Sequence, residues 1–211
     1  AAALGQGGNL CLIGRELVQF ETAEQIGPGR YRLSGLRRGL RGTEWAMTEH
    51  VAGEPFLMIE EDRLVEPLAA LGNVGEPGAA LRVAAVGLGD VTPVEAALTI
   101  EGAALVPPSP VHLRVRADGG GWPMTWVRRS RAGWGWRSGG DVPLGEEVER
   151  YAIRLLDGAV AVRSAESMVP NWTYEAAMIV ADGTAGRSLV AEVRQVGTLA
   201  PGRVTTIAFT A

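Results

Sequence analysis

The sequence predicts a mainly β protein in two parts, the second an antiparallel β-sandwich. Three observations lead there. Seven short strand-like segments follow one another within about 100 residues after position 107, the spacing of a sandwich. Gly- and Asp-rich turn signals separate them. A Pro-rich stretch, Val106-Pro107-Pro108-Ser109-Pro110, divides an acidic first part from a weakly basic second one. Residues 1–106 carry 8 Arg against 14 acidic residues, and residues 107–211 carry 12 Arg against 10. These features place a domain boundary at 106/107, giving a β-rich domain over 1–106 and a sandwich over 107–211.

In the first part, Leu10–Ile13 and Glu16–Phe20 read as a hairpin around Gly14-Arg15. Arg30–Leu33 alternates after the turn Gly27-Pro28-Gly29, and Phe56–Ile59 and Leu81–Val86 are continuous apolar runs. Trp45–His50 is expected to be a short helix with Thr43 as its N-cap. Arg63–Leu71 is a second helical candidate, weakened by Pro67. In the second part, Val111–Ala117 alternates strictly, with Val111, Leu113, Val115 and Ala117 on one face. Further strands are expected at Met124–Arg129, Tyr151–Leu156, Val160–Arg163, Thr173–Val180, Leu189–Val196 and Val204–Thr210. The stretch Leu144–Leu155 fits both a helical and a strand period. The Asp157-Gly158 turn signal and the alternation of Val160 and Val162 favour the strand.

Composition narrows the function. The chain has 211 residues, and 46% hydrophobic with 21% charged residues is a globular balance. No run of 18 apolar residues occurs, so no membrane span is expected. The first residues lack the basic and apolar regions of a signal peptide. The single Cys11 excludes an internal disulfide framework. All 20 basic residues are arginine. GC-rich codon usage accounts for that, yet arginine also forks onto carboxylates and stacks on aromatics. A net charge of −4 argues against a nucleic-acid binder.

The segment Tyr31-Arg32-Leu33-Ser34-Gly35-Leu36-Arg37-Arg38-Gly39-Leu40-Arg41-Gly42-Thr43-Glu44-Trp45-Ala46, with His50 and Gly53, resembles a block of phage tail-tip proteins. The resemblance is to the large baseplate hub, or host-specificity, protein of gene transfer agents and related alphaproteobacterial phages. Pro108–Leu113 and Trp126–Arg131, with Trp134, Trp136 and Asp141–Glu146, resemble the same family. It implies that the chain is the C-terminal region of a longer protein, whose upstream parts include a barrel similar to glycoside hydrolases. It implies a virion component made in the bacterial cytoplasm and placed at the tail tip. The implied partners are other baseplate subunits, a homotrimeric arrangement and a host-surface glycan or protein. The last domain also resembles fibronectin type III modules, with Trp126 and Tyr151 as core aromatics of its second and third strands. Strand Leu189–Val193 lacks the tyrosine usual in such modules.

Two constellations could carry chemistry. Trp122, Trp126, Trp134 and Trp136 lie among Arg128, Arg129, Arg131 and Arg137 with no acid between Trp122 and Arg137. Rings and guanidinium groups together suit sugars or a protein partner. Trp134, Trp136, Arg131 and Arg137 are therefore the candidate binding residues, with Trp126 expected in the core and the arginines expected to pair with acids in 141–149. The second is Arg37, Arg38 and Arg41, expected to make interface or carboxylate contacts, with Glu44, Glu49 or Glu54 as partners. His50 and Glu54 sit four apart but supply too few ligands for a closed metal site. His112 falls on the polar face of its strand. With two His, one Cys and no Gly-x-Ser-x-Gly, the residues give catalysis little support. The expectation is a non-enzymatic, cofactor-free structural and adhesive element of a tail tip. The alternative is a carbohydrate-binding module serving the upstream hydrolase-like barrel, with Trp134 and Trp136 as its platform.

Overall fold

The computed structural model describes residues 4, 8–64, 77–134 and 140–211. They divide into two compact units, Ala1–Glu101 and Gly102–Ala211. The expected linker thus lies inside the second unit. Its Pro107 is fully buried, and its carbonyl accepts a hydrogen bond from the Arg203 N–H at 3.1 Å. Proline here anchors packed backbone rather than spacing two domains.

The second unit is an antiparallel β-sandwich. Its strands are β8 (Val111–Val115), β9 (Gly121–Val127), β10 (Tyr151–Asp157), β11 (Val160–Ser167), β12 (Asn171–Glu175), β13 (Ser188–Gln195) and β14 (Thr205–Thr210). One sheet runs β11-β10-β13-β14 and the other β12-β9-β8. That four-on-three order is the fibronectin type III order. Alternation explains the core. Tyr151, Ile153 and Leu155 of β10 point inward beside Leu189, Ala191 and Val193 of β13, and all are buried. Met124 and Trp126 of β9 and Tyr174 of β12 close the core from the opposite sheet. The Trp126 and Tyr151 rings meet edge to face, centroids 5.1 Å apart. On the outer face of the same ladder, Arg154 pairs with Glu192 at 3.4 Å. The strand reading of the ambiguous stretch holds from Tyr151 onward.

One expected strand is corrected. Thr173–Val180 is strand only to Glu175; residues Ala176–Asp182 form a helix, α1. The run Ala176-Ala177-Met178-Ile179-Val180 allows either state by propensity. The hydrogen bonds decide: Gly183, in the left-handed conformation at φ 64°, closes the helix, and Thr184 N–H returns to the Ile179 carbonyl. Tyr174, just upstream, donates its hydroxyl to Asp182 at 2.7 Å and lies 2.7 Å from the Thr184 hydroxyl. Arg163 forks onto the same Asp182 at 2.6 and 2.7 Å.

The first unit is built from short strands. β1 (Leu10–Ile13) lies between β2 (Glu16–Gln19) and β5 (Phe56–Met58). β3 (Thr22–Gly27) pairs with β4 (Arg30–Ser34), and β6 (Ala80–Ala85) with β7 (Val94–Thr99). β3 and β7 were not expected from the sequence. Cys11, Val18 and Phe20 form a small core against Ile13 and Leu33. The expected helix Trp45–His50 is a 3-10 turn over Glu44–Thr48. Thr43 does not cap it. Its hydroxyl oxygen instead accepts from Leu17 N–H at 3.0 Å and donates to the Leu40 carbonyl at 2.7 Å. Of the expected helix Arg63–Leu71, Arg63 ends a 3-10 turn, Glu61–Arg63, and residues 65–71 lie outside the described residues.

The β6–β7 hairpin sorts its faces cleanly. The cross-strand pairs Leu81↔Leu98, Val83↔Ala96 and Ala85↔Val94 make one face wholly apolar. The other carries the Arg82–Glu95 ion pair. Val83, Val94 and Leu98 are exposed all the same.

Candidate functional site

The polar centre of the first unit grows out of the β1–β2 hairpin. Period-two alternation along β2 sends Glu16 and Val18 to the same side, and both side chains are buried. A buried carboxylate must find donors, and the Arg-Gly segment after β4 supplies them. A mutual backbone bridge first fixes the segment: Arg37 N–H donates to Gln19 O at 2.8 Å and Gln19 N–H to Arg37 O at 3.0 Å. Arg38 then forks onto Glu16, Nε at 2.8 and 2.9 Å and Nη2 at 2.6 Å, and also donates to the Met47 carbonyl. Gly39 donates its backbone N–H to Glu16 Oε1. Gly39 has φ +60° and no room for a side chain, since a Cβ would stand 2.8 Å from Glu44 Cα.

His50 completes the cluster. Its Nε2 lies 2.6 Å from Glu16 Oε2 and its Nδ1 2.6 Å from Glu54 Oε1. A pocket of about 190 Å³ opens beside it, lined by Ile13, Val18, Leu36, Arg38, His50 and Glu54. Burial pushes the Glu16 carboxyl upward, but hydrogen bonds from Arg38, His50 and the Gly39 N–H outweigh it and bring it down to about 2. Hydrogen bonds to Glu16, then to Glu54, hold the His50 ring above its ordinary value. Burial, with Glu16 nearby, pushes the Cys11 thiol up, which keeps it unreactive. With the ring protonated, two cations face two carboxylates. Among the described residues no group of three or more His, Cys, Asp and Glu has metal-binding geometry.

The structure places the expected arginine contacts differently from the sequence reading. Arg38 does make a forked carboxylate contact, but to Glu16 rather than Glu44, Glu49 or Glu54. Arg37 engages through its backbone, and Arg41 sits in a 3-10 turn with φ +52°. The residue that sequence reasoning missed is Glu16. A signal existed: a lone acid on the face that also carries Val18 and Phe20 needs a buried partner.

The tryptophan-rich segment belongs to the second unit. Arg128 donates to Asp141 and to the Val142 carbonyl, both at 2.6 Å. Arg131 pairs with the almost fully buried Glu146 at 2.6 Å, and Glu146 also accepts from Thr198 N–H at 2.7 Å. Burial opposes ionisation of Glu146, yet Arg131 and Thr198 hold its carboxyl below the usual range. Trp126 is core, while Trp134 is 40% exposed. Trp136 and Arg137 lie outside the described residues. His112 sits exposed at φ +55°, where the β8–β9 register shifts.

Residues 1–57 match the Rcc01698-like, C-terminal family. The match takes in the whole Glu16–Arg38–His50–Glu54 cluster. No curated protein matches the chain. Two solved structures are similar to it. One, titled "Myokine structure", is 13% identical and covers 50% of this chain and 97% of its own, at TM-score 0.34. The other is the rat CD45 extracellular region, domains d3–d4, 10% identical, covering 90% of this chain and 94% of its own, at TM-score 0.36. The sandwich assignment rests on strand order and register.

Proposed function

We propose that the chain is a non-enzymatic structural and adhesive part of a phage-like tail tip, working within a baseplate hub. The observation that carries this reading is what the hub-like block does in the fold. Tyr31–Gly53, the segment that resembles hub proteins, wraps the buried Glu16 and spends Arg38, Gly39 and His50 on it. Arg38 and His50 are committed to internal pairing, as suits a framework, and the family match at 1–57 takes in the same segment. The apolar face of the β6–β7 hairpin supports a role in assembly, because a lone two-stranded ribbon is marginal in water. In this reading the sandwich is the outward module, and neighbouring hub subunits and a host-surface glycan or protein are the partners.

The test is location. Antibodies raised against this chain should decorate the tail tip of purified particles from the source bacterium. Particles that lack the chain, or carry it elsewhere, overturn the proposal. A second reading, a sugar-binding module, draws on the exposure of Trp134. Retention of envelope glycans by the chain, lost in Trp134→Ala, would support it.

A further inference from the structure

We propose that His50 is a proton-dependent latch that clamps the 50–55 loop and edge strand β5 onto the β1–β2 hairpin and lets go when the ring loses its proton. The inference stands on geometry and is independent of the tail-tip reading. Both ring nitrogens face carboxylate oxygens at 2.6 Å, Nε2 toward Glu16 and Nδ1 toward Glu54. A neutral imidazole has one N–H to give, and its other nitrogen is a lone pair. Only the imidazolium donates in both directions. On deprotonation one of the two contacts turns from attraction to repulsion, and the cluster gains a net negative charge.

The groups that face the ring come from every neighbouring element. β2 gives Glu16, the segment after β4 gives Arg38, and the loop itself gives Glu54. The Cys11 thiol of β1 feels the same Glu16. Arg38 stays charged at any pH of interest, so it keeps Glu16 in place whatever the ring does. Glu16 is also held by Arg38 and the Gly39 N–H, whereas Glu54 takes its hydrogen bond from the ring, so Glu54 is the end that yields.

What the latch holds is poorly held otherwise. Glu54 packs on the hairpin turn so closely that a Cβ on Gly14 would meet its Oε2 at 2.2 Å. The loop is tied there by Gly14 N–H to the Pro55 carbonyl at 2.9 Å. β5 then adds three residues to β1, and Phe56, Leu57 and Met58 are all exposed. Its far end is tied by Ile59 N–H to the Leu10 carbonyl at 2.9 Å. A short edge strand with so little burial lies at the low-stability end of a fold. Its release bares the β1 edge, an open template for another strand.

The experiment is an NMR pH titration of the full 211-residue chain. There are two histidines, so His112→Gln assigns the rings. The His50 ring should titrate above the ordinary ~6.5. Across that titration the Gly14 and Ile59 amides should lose hydrogen-exchange protection beyond the intrinsic pH effect. The loss should be about ten-fold for each pH unit by which the ring's midpoint exceeds the ordinary value. Glu54→Gln should lower the His50 midpoint and carry the protection loss down with it. A His50 midpoint at or below the ordinary value overturns the proposal. So does flat protection through the titration, or a Glu54→Gln protein whose midpoint is unmoved. The unaltered chain alone decides the first two outcomes.

Discussion

Replacing Glu16 with Gln tests the polar centre of the first unit most directly. The substitution keeps shape and removes the charge that Arg38, Gly39 and His50 all address. The amide would also turn an N–H₂ group toward at least one of those donors. The carboxyl titrates near 2 rather than 4.5, a depression worth about 3 kcal/mol of folded-state preference for the ionised form. Because the folded value is lowered, that stability is fully present above pH 4.5 and is lost as the pH falls through about 2. Glu16→Gln should therefore cost about 3 kcal/mol at pH 7, with the gap to the parent narrowing below pH 4.5 and closing near pH 2. The chain has two compact units, so a whole-chain melt would blend two events. Hydrogen exchange of peptides spanning 10–19 reads the first unit alone, and exchange there should quicken on the order of a hundred-fold at pH 7. Parent-like exchange in the variant at pH 7 would refute the reasoning, as would a penalty equally large at pH 7 and pH 3.

Three further outcomes follow from particular contacts. Gly39→Ala should destabilise the first unit by at least about 1 kcal/mol, since φ is +60° and the new Cβ meets Glu44 Cα at 2.8 Å; exchange over 10–19 reads it, and a neutral result refutes the clash. Tyr174→Phe should cost the sandwich about 1–2 kcal/mol, because Thr184 is fully buried and Asp182 loses a donor; hydrogen exchange of peptides spanning 188–195 measures it, and parent-like exchange there counts against the network. Trp134→Ala should leave the sandwich within about 0.5 kcal/mol of the parent while reducing retention on host-envelope material. Retention equal to the parent's would remove Trp134 from any adhesive surface.

The sandwich was legible because burial there follows strand alternation. Tyr151, Ile153 and Leu155 announce one face of β10, and Leu189, Ala191 and Val193 one face of β13. Where β12 passes into α1 the legibility ends. Ala, Met and Ile serve a buried strand and a short helix equally well, and Gly183 and Thr184, just downstream, settle it through backbone hydrogen bonds. β3 and β7 escaped for different reasons. β3 is exposed except at Gly27 and has no inward face to impose a pattern, while in β7 the adjacent Ala96 and Ala97 blur the alternation that sets Val94 and Leu98 on the apolar side.

The candidate site shows the same limit in sharper form. The Arg-Gly segment signalled a carboxylate partner, and nearness in sequence nominated Glu44, Glu49 and Glu54. The partner is Glu16, 22 positions before Arg38. Pairing across that distance is set by which acid the hairpin buries, because burial is what makes a forked arginine necessary. An exposed acid near the arginines exerts no such demand. The rule that would have chosen correctly is to ask first which acid lies on an apolar strand face, and only then which arginine can reach it. Applied to the second unit, it weighs the same two quantities, burial of the acid and reach of the arginine. Glu146 is nearly buried and takes Arg131, while Asp141 is 77% exposed and holds Arg128 only at the surface. The first of these pairs should carry stability and the second little. Arginine in place of lysine therefore matters at Arg38, Arg131 and Arg163, where one planar fork reaches two oxygens of a shielded carboxylate.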